Sequence, residues 1–139
     1  MSQFIGMSMP ASFAGEITRG TFDHTVESAI NDGTVVEFGV PVKLNAGKVA
    51  KTSANSDVVF GFVVRNYGQS ELGVQKVASV LKRGYMAVKT AGGTPAKGGR
   101  VYLKTDGTIT ADEGSNTAIP NCFYMGGAQD GIAEIAFNI

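Results

Sequence analysis

Short runs of apolar and β-branched residues, separated by turns rich in Gly and Asp, recur along most of the chain. Residues 77–110 show this pattern most fully and predict three strands, at 77–89, 101–104 and 108–110. A Gly-rich loop at 91–100 joins the first two strands, and an Asp-Gly turn joins the last two. Asp-Gly between β-prone runs is a strong hairpin signal, because Gly accepts the positive φ that such a turn demands.

Other segments add further strands and one ambiguous stretch. Residues 34–42 alternate so that one face is apolar, and residues 57–66 contain seven consecutive apolar or Gly residues, which predicts a strand covered on both faces. Gly61 in the middle of the second run predicts a bulge or the close approach of another backbone. Residues 21–33 fit either a short helical turn or a hairpin, and residues 131–139 alternate inward and outward. The whole pattern predicts an all-β fold.

The first 20 residues follow neither a helical nor a strand period. An arm this apolar is expected to lie against another surface, either across its own domain or on a neighbouring subunit. The side chains predicted to make that contact are Phe4, Ile5, Met7, Met9, Pro10 and Phe13. The chain of 139 residues suits one domain, so we expect an extended arm at 1–20 and one β domain at 21–139.

Composition predicts a covered surface and argues against several classes of protein. Apolar residues make up 43% of the chain and charged residues 17%, a low charge density that favours contact with a partner. The one cysteine, Cys122, cannot form an internal disulfide. No apolar run approaches the roughly 20 residues that span a bilayer, and the first residues lack the regions of a signal peptide. We therefore expect a protein of the cytosol, or of a particle assembled there, without a membrane partner.

Charge is unevenly placed, although the net charge is zero. Residues 72–105 hold seven of the 12 basic residues and no acid, whereas residues 106–139 hold five acids and no base. These charges either pair within one subunit or give it basic and acidic faces, which would suit head-to-tail contacts in a ring. On the second interpretation the interface candidates are Lys82, Arg83, Arg100 and Glu134. A nucleic-acid site is disfavoured, because few aromatic residues lie among the basic ones.

Catalytic and metal-binding patterns are weak. His24 is the one histidine and Cys122 has no second thiol, so we predict no metal site and no cofactor. A His24–Cys122 nucleophile pair is conceivable, but the apolar surroundings of Cys122 indicate an inert core thiol. The loop at 92–100, GGTPAKGGR, departs from the phosphate-binding pattern GxxxxGK[ST], and a strand follows it where a helix is required. No enzyme activity is predicted.

The order of features resembles the head decoration, or cement, proteins of tailed bacteriophages. The resemblance is diffuse and covers most of the chain from Pro10 onward. The segments that carry it are PASFAGEITRG (10–20), VVEFGVPVKLNAGKVAK (35–51), VVFGFVVRN (58–66), SVLKRGYMAVKTAGGTPAKGGRVYLKTDGTITA (79–111) and GIAEIAFNI (131–139).

This resemblance implies a small β-barrel or β-tulip-like sandwich of short antiparallel strands, commonly a homotrimer. It implies a place on the outer surface of the expanded capsid, where the protein clamps neighbouring major capsid protein subunits. Synthesis in the cytoplasm of a bacterial host follows from the same family. We therefore expect the apolar arm to dock on the capsid or on a neighbouring copy.

Two other classes of protein fit the sequence less well. A phage tail or fibre β-module that binds a receptor or glycan would present exposed aromatic residues, and the chain has no Trp. A carrier-like barrel-sandwich domain would present a modifiable lysine at a tight turn, whereas Lys89 lies within a predicted strand.

Overall fold

The structure, a computed structural model, describes residues 14–18, 24–65 and 77–138. Its strands are β1 (Thr25–Ile30), β2 (Pro41–Asn45), β3 (Lys48–Lys51), β4 (Gly61–Val63), β5 (Val77–Lys89), β6 (Arg100–Leu103), β7 (Ile109–Thr110), β8 (Thr117–Tyr124) and β9 (Ile132–Asn138). These ranges contain no helix, and so none long and apolar enough to cross a bilayer. The predicted all-β class is confirmed.

The 13-residue strand β5 is the centre of the sheet. Its first half pairs with β1 and β4, and its second half pairs with β9 and bridges to residues 14–18. In a regular strand, residues an odd number of positions apart point to opposite faces. Leu81 and Met86 are separated in this way yet belong to one buried cluster, so the strand changes face between them. Gly84 lies at this change with a φ of 137°, a value that favours glycine.

The sheet is antiparallel and curls into a half-barrel. Its strand order is β3-β2-β4-β5-β9-β8-β6-β7, with β1 paired to β5 off this path. The first and last strands of this order, β3 and β7, lie close together. The hydroxyl of Thr52, just after β3, donates a hydrogen bond to the carbonyl of Gly107, just before β7, at 2.7 Å. A Cβ atom added to Gly107 would lie 2.0 Å from the Thr52 carbonyl oxygen, so no side chain fits between these backbones.

Two buried clusters fill the curl. The larger one draws on every strand from β4 to β9, and in it the rings of Phe62 and Phe137 meet edge to face with centroids 5.3 Å apart. The smaller one comprises Val35, Phe38, Val42, Val49, Val63, Ala78 and Val80. Because Val80 and Leu81 belong to different clusters, the two faces of the first half of β5 pack against different cores.

The predicted strand at 34–42 is wrong over most of its length, because β2 begins only at Pro41. The buried side chain of Asn31 explains the difference. Its amide nitrogen donates to the Val35 carbonyl at 2.7 Å, and its amide oxygen accepts from the Val35 backbone nitrogen at 3.3 Å. The Asn31 side chain thus satisfies polar groups of Val35 that a neighbouring strand would otherwise pair.

The predicted strand at 57–66 is shorter than expected, since β4 covers Gly61–Val63. Val58 is 82% exposed, so burial on both faces is wrong for the first part of the run. The Asp57 carboxylate accepts two backbone N–H groups of the preceding turn, at 2.7 and 3.0 Å, and holds residues 53–57 in a turn.

Several local predictions are confirmed. A Cβ atom at Gly61 would lie 2.5 Å from the Leu81 carbonyl oxygen, which is the close backbone approach expected there. Ala133, Ile135 and Phe137 on β9 are buried as their alternation predicted. Within residues 21–33 the strand β1 forms, so the helical alternative is wrong.

Candidate docking surface

Cys122 lies in the larger core and has no exposed surface. Burial raises the pKa of its thiol well above the usual 9.0, which disfavours the nucleophilic thiolate. Nothing therefore supports a nucleophile pair with His24. No group of three or more His, Cys, Asp or Glu side chains that could hold a metal ion occurs in the described ranges.

The burial of Cys122 predicts a particular pH dependence of stability. Burial also raises the pKa of nearby Tyr124 from 10.0 to about 12. Because both folded pKa values are raised, their stabilising effect is complete below pH 9.0 and is lost as the pH rises towards them. We expect the urea midpoint to fall above pH 9.0 in the native chain, but only above pH 10.0 in Cys122→Ala, where Tyr124 remains. Identical pH profiles for the two proteins would contradict the account.

A groove of about 400 Å³ opens between residues 55–59 and the start of β8, and we call it the apolar groove. Its apolar lining includes Val58, Leu103, Ala118, Ile119, Pro120 and Phe137. Of the described residues that line it, Asp57 alone carries a charge. That carboxylate forms an ion pair with the Lys43 ammonium at 3.2 Å, so the groove presents no unbalanced charge.

The start of β8 leaves one backbone edge beside the apolar groove without a strand. β8 pairs with β9 through residues 122–124, and residues 117–121 have no β9 partner in the described part of the chain. Pro120 has no N–H to donate, which suits a position outside the ladder. Asn121 has a φ of 54°, and the register against β6 shifts around it. The apolar groove therefore has an open strand edge as one wall.

A second cleft, of about 430 Å³, continues from the apolar groove, and we call it the arginine cleft. Arg83, Tyr85 and Phe123 line it. The Arg100 guanidinium lies 5.4 Å from the centre of the Phe123 ring, so a second cation borders the cleft. The residues that line both the cleft and the groove are Asn121, Phe137 and Asn138. The two depressions thus form one continuous surface with an apolar part and a cationic part.

The four charged residues predicted at a subunit interface do not share one location. Arg83 lines the arginine cleft, and Arg100 borders it over the Phe123 ring. Lys82 points inward: its ammonium donates to the Phe60 carbonyl and lies 3.1 Å from the centre of the Phe60 ring. Burial lowers the pKa of this ammonium from its usual 10.5. Glu134 is half-buried on β9. Their place at an interface stays a prediction.

The arm residues predicted to bind a partner, Phe4, Ile5, Met7, Met9, Pro10 and Phe13, lie outside the described residues. Residues 14–18 are described and run along β5. The Gly15 backbone nitrogen donates to the Ala87 carbonyl at 2.7 Å, and that of Thr18 donates to the Tyr85 carbonyl at 3.1 Å. This part of the predicted arm is therefore hydrogen-bonded to β5, and the boundary between arm and domain stays a prediction.

Neither depression was predicted from the sequence. Their walls come from the turn before β4, from β5, from β8 and from the end of β9, which are far apart along the chain. The one local signal was Pro120-Asn121, since a proline inside a β-prone run indicates an edge or a bulge.

The half-barrel thus carries one surface with an apolar part and a cationic part. A family model described as structural cement protein (E217 gp24/Pam3 gp6) matches residues 1–138. The chain belongs to this phage cement family, which gives it a structural, capsid-cementing role in the virion and association with capsid proteins.

Among solved structures, the chain is similar to a chain of the capsid of Myoviridae phage XM1, with 20% sequence identity and a TM-score of 0.76. The likeness covers 99% of this chain and 97% of the other, and at this identity it shows a shared fold. No curated protein matches the chain.

Proposed function

We propose that this cement protein clamps neighbouring major capsid protein subunits from the outer surface of the expanded head, as a trimer and without catalysis. It is made in the cytoplasm of the bacterial host and binds as the head matures. The continuous surface of apolar groove and arginine cleft carries the proposal, because it offers buried area and charge on a rigid sheet. Several weak contacts held in one trimer give durable attachment.

The arginine cleft is suited to acidic side chains of the capsid protein. A guanidinium forms paired hydrogen bonds with a carboxylate, and stacking on an aromatic ring limits its motion. Arg100 is positioned in this way over Phe123, and Arg83 lines the same cleft. Opposite charges across an interface mainly raise the rate and specificity of association.

Reversing the charge of the cleft tests this proposal. We expect Arg83→Glu with Arg100→Glu to weaken binding to heads by roughly tenfold or more, since removing one member of an interfacial charge pair typically costs about 1 kcal/mol or above. The weakening should be smaller at high salt, where surface charges are screened.

Lys48→Glu with Lys51→Glu is the matched control, because both are exposed cations on β3 and neither lines the arginine cleft or the apolar groove. Co-sedimentation across a range of protein concentrations gives the affinities. Equal binding by the double variant and the control would exclude the arginine cleft as a capsid contact.

A further inference from the structure

We propose that the apolar groove of one copy receives part of residues 1–13 of a second copy, as an extended strand beside the open edge of β8. The inference deepens the proposed function, since it rests on assembly of several copies and names the contact that joins them.

The chemistry of the arm matches the groove. Residues 1–13 contain no charged side chain and carry six large apolar ones, Met1, Phe4, Ile5, Met7, Met9 and Phe13. The groove is lined largely by apolar side chains, and its one charged lining residue is already paired with Lys43. An acidic or basic segment would lose hydration there without gaining a partner, whereas an uncharged apolar segment loses little.

The open edge of β8 supplies directional contacts. Backbone groups of residues 117–121 that face the β9 side have no β9 partner in the described ranges. An extended segment can pair with such an edge through its own backbone and place alternate side chains into the groove. About 400 Å³ holds a few large side chains, so part of the arm fills the groove and the rest spans the gap between copies.

The direction in which the arm leaves residues 14–18 favours the groove of a second copy over the groove of its own copy. Residues 14–18 run antiparallel to β5, with Gly15 beside Ala87 and Thr18 beside Tyr85. The chain before Ala14 therefore approaches from the Lys89 end of β5. The groove lies near Asn138, which pairs with Arg83 at the other end of the β9 ladder.

An arm that filled its own groove would have to reverse direction and run back along the sheet. An extended segment of this length spans roughly 43 Å, which is enough to reach an adjacent molecule. Contacts of this head-to-tail kind close into rings when the rotation between copies permits it. The arm would then join each copy to the next around the trimer.

Disulfide trapping between two differently tagged proteins tests the inference. One protein carries Val58→Cys, at the groove, and the other carries a cysteine scanned through Phe4, Met7 and Met9. The buried native Cys122 is not expected to react. Leu44→Cys is the matched control, because Leu44 is also an exposed apolar residue but lies on the β2–β3 hairpin. The mixtures are oxidised mildly in solution and, in parallel, on expanded heads.

We expect at least one of the three arm cysteines to give a disulfide-linked heterodimer with the Val58→Cys protein. Its yield should be at least tenfold higher than with the Leu44→Cys protein, in solution, on expanded heads or in both. Equal trapping by the two partners, or none in either setting, would overturn the inference. So would a chain carrying both cysteines that closes only within itself. Binding to heads is measured separately with uncross-linked protein. The two experiments therefore test the capsid role and the arm contact independently, and either proposal can be rejected without rejecting the other.

Discussion

Replacing Gly107 by alanine is expected to destabilise the fold by roughly 2–6 kcal/mol, a large part of the stability of a domain this size. Two costs add. Gly107 has a φ of 88°, a region that an L residue enters with strain. The added Cβ would also lie 2.0 Å from the Thr52 carbonyl oxygen and 2.4 Å from its carbon, so one of the two backbones must move. That movement would separate the ends of the half-barrel. Urea unfolding followed by circular dichroism measures the change.

Gly47→Ala separates the two costs. Gly47 also has a positive φ, of 80°, but a Cβ there would meet nothing within 4 Å. We expect this variant to lose about 1 kcal/mol, the conformational cost alone. If both variants lost the same amount, the contact between Gly107 and Thr52 would not be what closes the sheet.

Removal of residues 1–13 is expected to leave the β domain folded and to weaken binding to heads by roughly a hundredfold or more, because attachment through linked copies is lost. The truncation should stop before Ala14, whose carbonyl accepts a hydrogen bond from the Arg65 side chain at 2.8 Å. Far-ultraviolet circular dichroism reports on the fold, and co-sedimentation reports on the binding.

A full-length variant with serine at Phe4, Ile5, Met7, Met9 and Phe13 is the control for chain length. It keeps the arm but removes five of its six large apolar side chains, so it should bind nearly as weakly as the truncated protein. Full binding by the truncated protein would show that the arm contributes nothing to attachment.

Local signals in the sequence were sufficient for much of the fold. The long strand β5, the Asp106-Gly107 turn and the alternation that ends at Phe137 each depend on neighbours in sequence, and each was predicted. Gly61 was also interpreted correctly, because a glycine inside a β-prone run usually marks a bulge or a close backbone approach.

The errors arose where a distant or unusual contact decided the structure. A side chain, Asn31, provides the partner for Val35, so an alternating run became a loop. Val58 is apolar yet exposed at the rim of the apolar groove, which no pattern of neighbours could indicate.

The candidate surface was only partly predictable for the same reason. Arg83 and Arg100 could be singled out by their charge, but Phe123 and the strands that bring them together became visible only in the fold. Lys82 has the same charge and adjoins Arg83 in sequence. Its ammonium instead contacts the carbonyl and the ring of Phe60, which lies 22 residues away in sequence, so only the fold shows that it points inward.

The most direct test of a cementing role is co-sedimentation of the full chain with expanded, undecorated heads of its phage, with unexpanded procapsids as the control. The account predicts saturable binding to expanded heads and little to procapsids, because the subunits that a clamp must join reach their final spacing only on expansion. Failure to bind expanded heads, or equal binding to both forms, would contradict it.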